Sequence, residues 1–440
     1  MTEIDVQKRL NSEGRLVDTV YYDRDNLDVQ KAKLVANNRF RVPFNSLQFG
    51  AQGIALNIPP GSIVDSIIAE FQLPATTTGG SVYNGLALTR GWGYQLIQSI
   101  QLMCGGSTVQ TKFGPQHQIE VLLSCETMDK RNEVLTLGGQ QCFSVQAVGG
   151  NDFANPDNLW AYVHIALPWS QIKALFRQLP IDSRMMAVQP LQVVLFLNQA
   201  NAIFSSQTPV SGTLANMPTA LQSGTFHVRM LDFKDPNDSI GQQLILDPRK
   251  FYSFPCIHHQ SVFGQQITGI PAGSGANVIN FTGFKTGTLL GITTFAVKTS
   301  DITPGPVTSS FQNPMNLQDL SNLELQYNGQ TFCYYIQKDY KMMAATLDMT
   351  AGYINGSIVS FSTPNFVSAT PYKQYVVYFP LSQYSVFGPN ALEVQDGLEV
   401  STSTLTLSFN TPDTSVYTIY SIYHFQSSLV FNSGSAQFLF

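Results

Sequence analysis

From Arg41 onward the apolar residues come in short runs rich in Val, Ile, Leu, Phe and Tyr, closed by Gly, Pro, Asn or Asp. Within many runs apolar and polar positions alternate, the period of a strand buried on one face. Tight-turn dipeptides that tolerate positive φ stand between runs, at Asn84-Gly85, Asn328-Gly329, Asn355-Gly356 and Asp396-Gly397. Only two segments show helical spacing. One is Gly114 to Lys130, where Ile119, Leu122, Leu123 and Met128 recur; the other is Tyr334 to Met349, with Tyr340, Met343, Ala344 and Leu347. Three stretches read as long loops: Pro74 to Gly91, Asn198 to Gly224 and Thr299 to Leu317. Connections of that length are uncommon unless they serve a purpose. The run Gln192 to Leu197 is apolar on both faces, so one face needs cover from another domain or another copy.

The pattern repeats. Ile54 to Leu73 aligns with Val278 to Val297 at an offset of 224, and Ile100 to Ser107 with Leu323 to Gln330 at 223. Pro168 to Gln171 aligns with Pro380 to Gln383, and Leu191 to Asn198 with Ser403 to Asn410, both at 212. Thr225 to Phe233 aligns with Tyr417 to Phe425 at 192. The blocks keep their order while the offset falls, so the second half has shorter connections. Each half has room for about eight strands, the number in two facing sheets of a jelly roll. The expected fold is therefore all-β, two tandem eight-stranded antiparallel jelly rolls with short helices in the loops and an N-terminal arm. The expected limits are residues 1–41 for the arm, 42–240 for the first roll and 241–440 for the second.

Composition narrows the function. A chain of 440 residues exceeds the size at which single cores stop growing. Charged residues make up 12 %, against about 25 % in an average soluble domain. A surface so poor in charge suits a chain covered by other copies of itself, or a secreted or phage-type β protein. Fifteen of the 53 charged residues fall in the first 41 positions, with both signs mixed. That segment is either an arm that orders against a partner or a solvated tail. A net charge of −5 disfavours a nucleic-acid groove. Five cysteines without a CxxC pair suggest neither a disulfide framework nor a zinc site. The charged start is unlike a signal peptide, and no apolar run approaches the roughly 18 residues of a membrane helix.

Catalytic patterns are missing. There is no phosphate-binding Gly-x-x-x-x-Gly-Lys and no HExxH, and Gly273-Ser274-Gly275 precedes a strand rather than a helix. His258-His259 is the one close histidine pair, but neighbours on a strand face opposite ways. Asp65 and Glu70 lie on one run with nothing to mark the two-carboxylate cleft of a glycosidase. Copper chemistry on two jelly rolls needs histidine clusters that are absent. Aromatic strands at Tyr372 to Phe379 and Tyr417 to Phe425 suit core and subunit packing or a ligand groove. Asn237, Asn280 and Asn355 head N-x-Ser/Thr triplets. No catalytic, cofactor-binding or metal-binding residue is expected, and no cofactor.

The block from Trp92-Gly93-Tyr94-Gln95-Leu96-Ile97 through Ser99-Ile100-Gln101 to Cys104-Gly105-Gly106 resembles the double jelly-roll major capsid proteins. So do Gln116 to Thr127, Leu135 to Gly139, the strand ending in Leu167-Pro168-Trp169 and Pro190 to Leu195. The likeness is strongest to the proteins of virophages and polinton-like viruses. It implies a homotrimer with six lobes that tiles an icosahedral shell, with neighbouring trimers, penton and minor capsid proteins as partners. It implies no enzyme activity and no sequence-specific nucleic acid. The chain would be located in the virion and assembled inside the host cell rather than secreted. The long loops would supply the outer surface and residues 1–41 the inner rim. The reading from another class is a minor coat, fibre or lectin-like binding protein.

Overall fold

The computed structural model describes residues 34–50, 53–58, 63–75, 83, 86–88, 90–123, 128–143, 152–165, 181–182, 191–206, 217–233, 252–282, 287–302, 317–318, 320–335, 376–381, 397–400, 404–432 and 435–439. The first half contributes β1 (Leu34–Pro43), β2 (Ile54–Ile58), β3 (Ile63–Gln72), β4 (Leu86–Leu88), β5 (Ile97–Cys104), β6 (Ser107–Phe113), β7 (Cys142–Phe143), β8 (Trp160–His164), β9 (Ile181–Asp182), β10 (Leu191–Leu197), β11 (Phe204–Ser206) and β12 (Ser223–Phe233). The second contributes β13 (Tyr252–Thr268), β14 (Asn277–Phe281), β15 (Thr288–Lys298), β16 (Leu317–Gln318), β17 (Ser321–Tyr327), β18 (Gln330–Tyr335), β19 (Val376–Pro380), β20 (Leu398–Glu399), β21 (Leu405–Asn410), β22 (Val416–Asn432) and β23 (Ser435–Leu439). Among the described residues the short α-helices are α1 (Trp92–Leu96), α2 (Gly114–Leu123), α3 (Met128–Leu137) and α4 (Thr299–Ile302).

Each half is a jelly roll. In the first, one sheet runs β1-β12-β3-β8 and the facing sheet β2-β10-β5-β6. In the second, β13-β22-β15 continues through β19, and the facing sheet runs β14-β21-β17-β18. The strand orders are the same in both halves, and the pairings along these paths are antiparallel. Each pair of sheets encloses its own core, one around Ile54, Phe71, Trp92, Val193 and Phe226, the other around Ile292, Leu325, Leu407, Tyr423 and Phe425.

Four of the five repeated blocks fall on equivalent strands, but not all in register; Pro168 to Gln171 lies outside the described residues. On β5 and β17, Leu102 and Leu325 both face the core; on β10 and β21, Leu195 and Leu407 do so. At β2/β14, β3/β15 and β12/β22 the even offsets of 224 and 192 set inward residues on outward ones. Ile54 is buried where Val278 is exposed, and Phe71 lies in its core where Phe295 turns away from its own. Odd offsets restore the faces, since a one-residue slip on a strand inverts every side chain. Runs apolar on both sides, such as Leu289 to Val297, conceal that choice from sequence alone.

The hairpins β5–β6 and β17–β18 turn through Gly105-Gly106 and Asn328-Gly329, all four at positive φ. The expected Asn328-Gly329 turn is thus observed; Asn84-Gly85 and Asn355-Gly356 lie outside the described residues.

The first strand begins at Leu34, inside the segment 1–41 read as an arm. Arg41 stands opposite His227 and is exposed, so this end of the charged run is the outer face of an edge strand. Residues 1–33 lie outside the description, as does the boundary expected at 240, between β12 and β13. Helix α2 occupies the first helical segment as far as Leu123. In the second, Tyr334 and Tyr335 belong to β18, and residues 336–349 lie outside the described set. Helix α3 was not foreseen, because MDKRNEVLTL has no apolar stripe.

Candidate assembly surfaces

Three surfaces emerge from this framework. The first is a cap at one end of the first roll, built from the loops. Strand β4, from the loop between β3 and β5, pairs with β11 from the loop between β10 and β12, and with β7. Tyr83, Phe153 and Phe204 converge beneath it, with ring centroids 4.8, 5.4 and 6.4 Å apart. The Tyr83 hydroxyl donates to the Pro74 carbonyl at 2.9 Å, and burial pushes its pKa up. Two of the stretches read as loops, Pro74 to Gly91 and Asn198 to Gly224, are therefore partners in one packed unit. Most of the third, Thr299 to Leu317, lies outside the described residues.

The second surface joins the lobes. Phe113, the last residue of β6, stacks on Phe295 of β15 and Tyr420 of β22, with centroids 6.4 and 5.0 Å away. Phe295 and Tyr420 stack on each other at 5.2 Å. Residues Phe295 and Tyr420 stand opposite each other on the outer face of the second roll's sheet. That face carries Thr293, Ile422 and His424 as well, all buried. His424 Nε2 and the Thr293 hydroxyl are 2.8 Å apart, and Tyr378 meets the imidazole edge-on. Strand β15 is buried on both faces, the property expected of Gln192 to Leu197; on β10, Gln192 and Phe196 remain partly open.

The third surface is the equivalent sheet of the first roll, and its chemistry is opposite. Glu70 Oε2 and His227 Nε2 lie 2.9 Å apart across the sheet. Tyr162 is exposed and stacks with Trp160 at 6.5 Å, and Arg41 and Arg229 are exposed at the same face. Glu70 is thereby tied to a histidine across the sheet, and Asp65 sits at the register shift between Val64 and Ser66.

The other residues weighed for chemistry are dispersed. His258 and His259 stand opposite Phe425 and His424 on the edge strand β13. Among the described residues no group of three or more His, Cys, Asp or Glu lies together as a metal site. No described helix is long and apolar enough to cross a membrane. Cys104 and Cys142 are buried, and burial, with Asp152 nearby, pushes the Cys142 thiol up to about 12. Tyr378 and Tyr417 are both buried, within the two aromatic runs that suit packing or a ligand groove. Asn280 stands on β14, while Asn237 and Asn355 lie outside the described residues.

A polar device was not visible in the sequence. Asp413, in the turn before β22, receives Lys298 Nζ at 2.7 Å, the Ser415 amide at 2.8 Å and the Tyr417 hydroxyl at 2.6 Å. These donors, Lys298 foremost, hold its carboxyl well below the usual carboxylate range.

No protein-family model matches the chain, and no curated protein matches it in sequence. Solved structures do. PBCV-1 VP54, in the crystal structure fitted into a cryo-EM reconstruction of the virophage Sputnik, superposes with a TM-score of 0.58 at 14 % identity, over 92 % of this chain and 97 % of that one. This is the fold of the double jelly-roll capsid proteins. The cryo-EM structure of the Sputnik virophage gives 0.55 at 12 %, over 92 % and 88 %. The Faustovirus major capsid protein gives 0.53 at 11 %, over 90 % and 91 %. The double jelly roll spans nearly the whole of both chains in each comparison, so the likeness is to two lobes in tandem and not to a single sandwich.

Proposed function

We propose that the chain is a major capsid protein, a structural subunit that forms homotrimers and tiles an icosahedral shell. The observation that carries this reading is the pair of lobes, in one fixed order, matching capsid proteins over nine-tenths of the chain. The low charge content and the contrast between the two outer sheet faces support it. One face is aromatic and used within the chain; the other is polar and mixed in charge, suited to a reversible contact between copies. Neighbouring trimers, with penton and minor capsid proteins, are the partners in this reading.

Mass measurement on the purified chain tests it, with electron microscopy of the same sample. Trimers, and shells at higher concentration, are expected; a lone monomer at every concentration overturns the capsomer and favours a binding module. A stable trimer interface should exceed roughly 2,000 Å². Deleting residues 1–33, which spares β1, is expected to leave trimers and impair shells.

A further inference from the structure

Helix α2 follows directly on β6 and packs against α1, β5 and β6. It meets them with polar side chains that are themselves buried, Gln116, His117, Gln118 and Glu120. Lys112 on β6 reaches Glu120 on the helix at 2.6 Å, with each side chain 5 % exposed. Gln116 donates to the other carboxylate oxygen at 2.7 Å. His117, wholly buried, bonds the main chain of His164 on β8 and lies 5.9 Å from the Tyr94 ring of α1. His164 is also buried.

Two imidazoles and an ammonium thus lie close to the Glu120 carboxylate. Among the described residues, the groups that face His117 include Lys112 from β6, Glu120 from its own helix, Tyr94 from α1 and His164 from β8. We propose that α2 is an acid-released latch, which seals the first roll at neutral pH and lifts from β6 and β8 when His117 and His164 take up protons. Burial, followed by the Lys112 charge, holds His117 down to about 3; burial holds His164 down to about 4. Both lie below the ordinary value of about 6.5, so the opened state binds protons more readily than the closed one. The sign follows: closure is fully stable above about pH 6.5 and is lost as pH falls from there toward the closed-state values. Phe113 immediately precedes the helix, so its release also loosens the stack between the lobes. The use of such a latch, to soften a shell that enters an acidified compartment, rests on the capsid reading; the latch itself does not.

Hydrogen exchange read by mass spectrometry on the full chain at pH 7.5 and 5.0, corrected for intrinsic rates, tests it. Opening of residues 114–123 and 160–165 is expected to rise about 30-fold at pH 5.0 if one imidazole governs, and about 1,000-fold if both do. Strands β14 and β21 of the second roll, which carry no histidine, are expected to hold at both pH values. His117→Gln keeps a hydrogen-bonding side chain without the charge, and should cut the rise by about 30-fold. If that variant fails to fold, the wild-type exchange pattern alone decides. No pH response in residues 114–123, or a rise shared equally by β14 and β21, overturns the latch. Because the readout needs no shell, a trimer or monomer result leaves it standing.

Discussion

Asn198 and Asn410 show how much one side chain can do at the end of a strand. They occupy the same place in the repeat, just past β10 and at the close of β21. The Asn198 amide donates to the carbonyls of Gln95 and Ile97, at 2.8 and 3.4 Å. That of Asn410 donates to Gly275 and Ile270, at 2.6 and 3.2 Å, and its oxygen accepts from Asn322 at 2.9 Å. Each pins a neighbouring loop to the sheet. Replacing either by Ala is expected to cost about 1–3 kcal/mol, through carbonyls that lose their donor. Asn410→Ala should be the worse, since it also strips Asn322 of its acceptor. Chemical denaturation of both variants checks the order. Those two residues were legible as a matched pair in the sequence. The buried group of Lys112, Gln116, His117 and Glu120 was not, because polar residues on a short helix and its preceding strand read as a solvated face until the helix is seen packed against α1, β5 and β6.

Strand positions could be inferred from alternation, and the two rolls with them; which face each residue takes was less accessible. A run buried on both sides carries no phase, and β15 is such a run. Junctions between elements depend on space that a pattern does not record. At Gly114, where β6 passes into α2, an added Cβ would fall 1.7 Å from the Ile97 carbonyl oxygen. At Gly106, in the hairpin, nothing lies within 4 Å, but φ is +80°. Gly106→Ala should therefore cost about 1–2 kcal/mol, the left-handed penalty alone. Gly114→Ala should cost about 3 kcal/mol or more, since a strand or the helix must shift. Thermal unfolding of the pair tests the ranking; equal losses would mean that the junction yields freely.

At the scale of the molecule, the chief question is how the two lobes hold together. Among the described residues, Phe113 buried against Phe295 and Tyr420 is an aromatic tie between them, beside the contact of β6 with β23. Phe113→Ala is expected to destabilise the chain by about 3–5 kcal/mol, as for a large aromatic lost from a packed site. A double-mutant cycle with Tyr420→Ala should give a coupling of about 0.5–1.5 kcal/mol, the excess attached to an aromatic pair. Two separated unfolding steps in the variant would locate the effect at the junction; a single step with no coupling would refute it.

That stack joins unlike surfaces: the end of an edge strand on one lobe, the outer sheet face on the other. A head-to-tail contact of this kind, repeated between separate bodies, closes into a ring or runs on without limit. Linkage on one chain gives the first such contact a high effective concentration and a fixed direction. Separate molecules lose roughly 4–15 kcal/mol of translational and rotational freedom each time they meet. In the proposed capsomer, six lobes drawn from three such chains meet that loss in two joining events, where six single rolls would need five. Tandem fusion therefore acts as a nucleation device, lowering the number of encounters before the ring is complete.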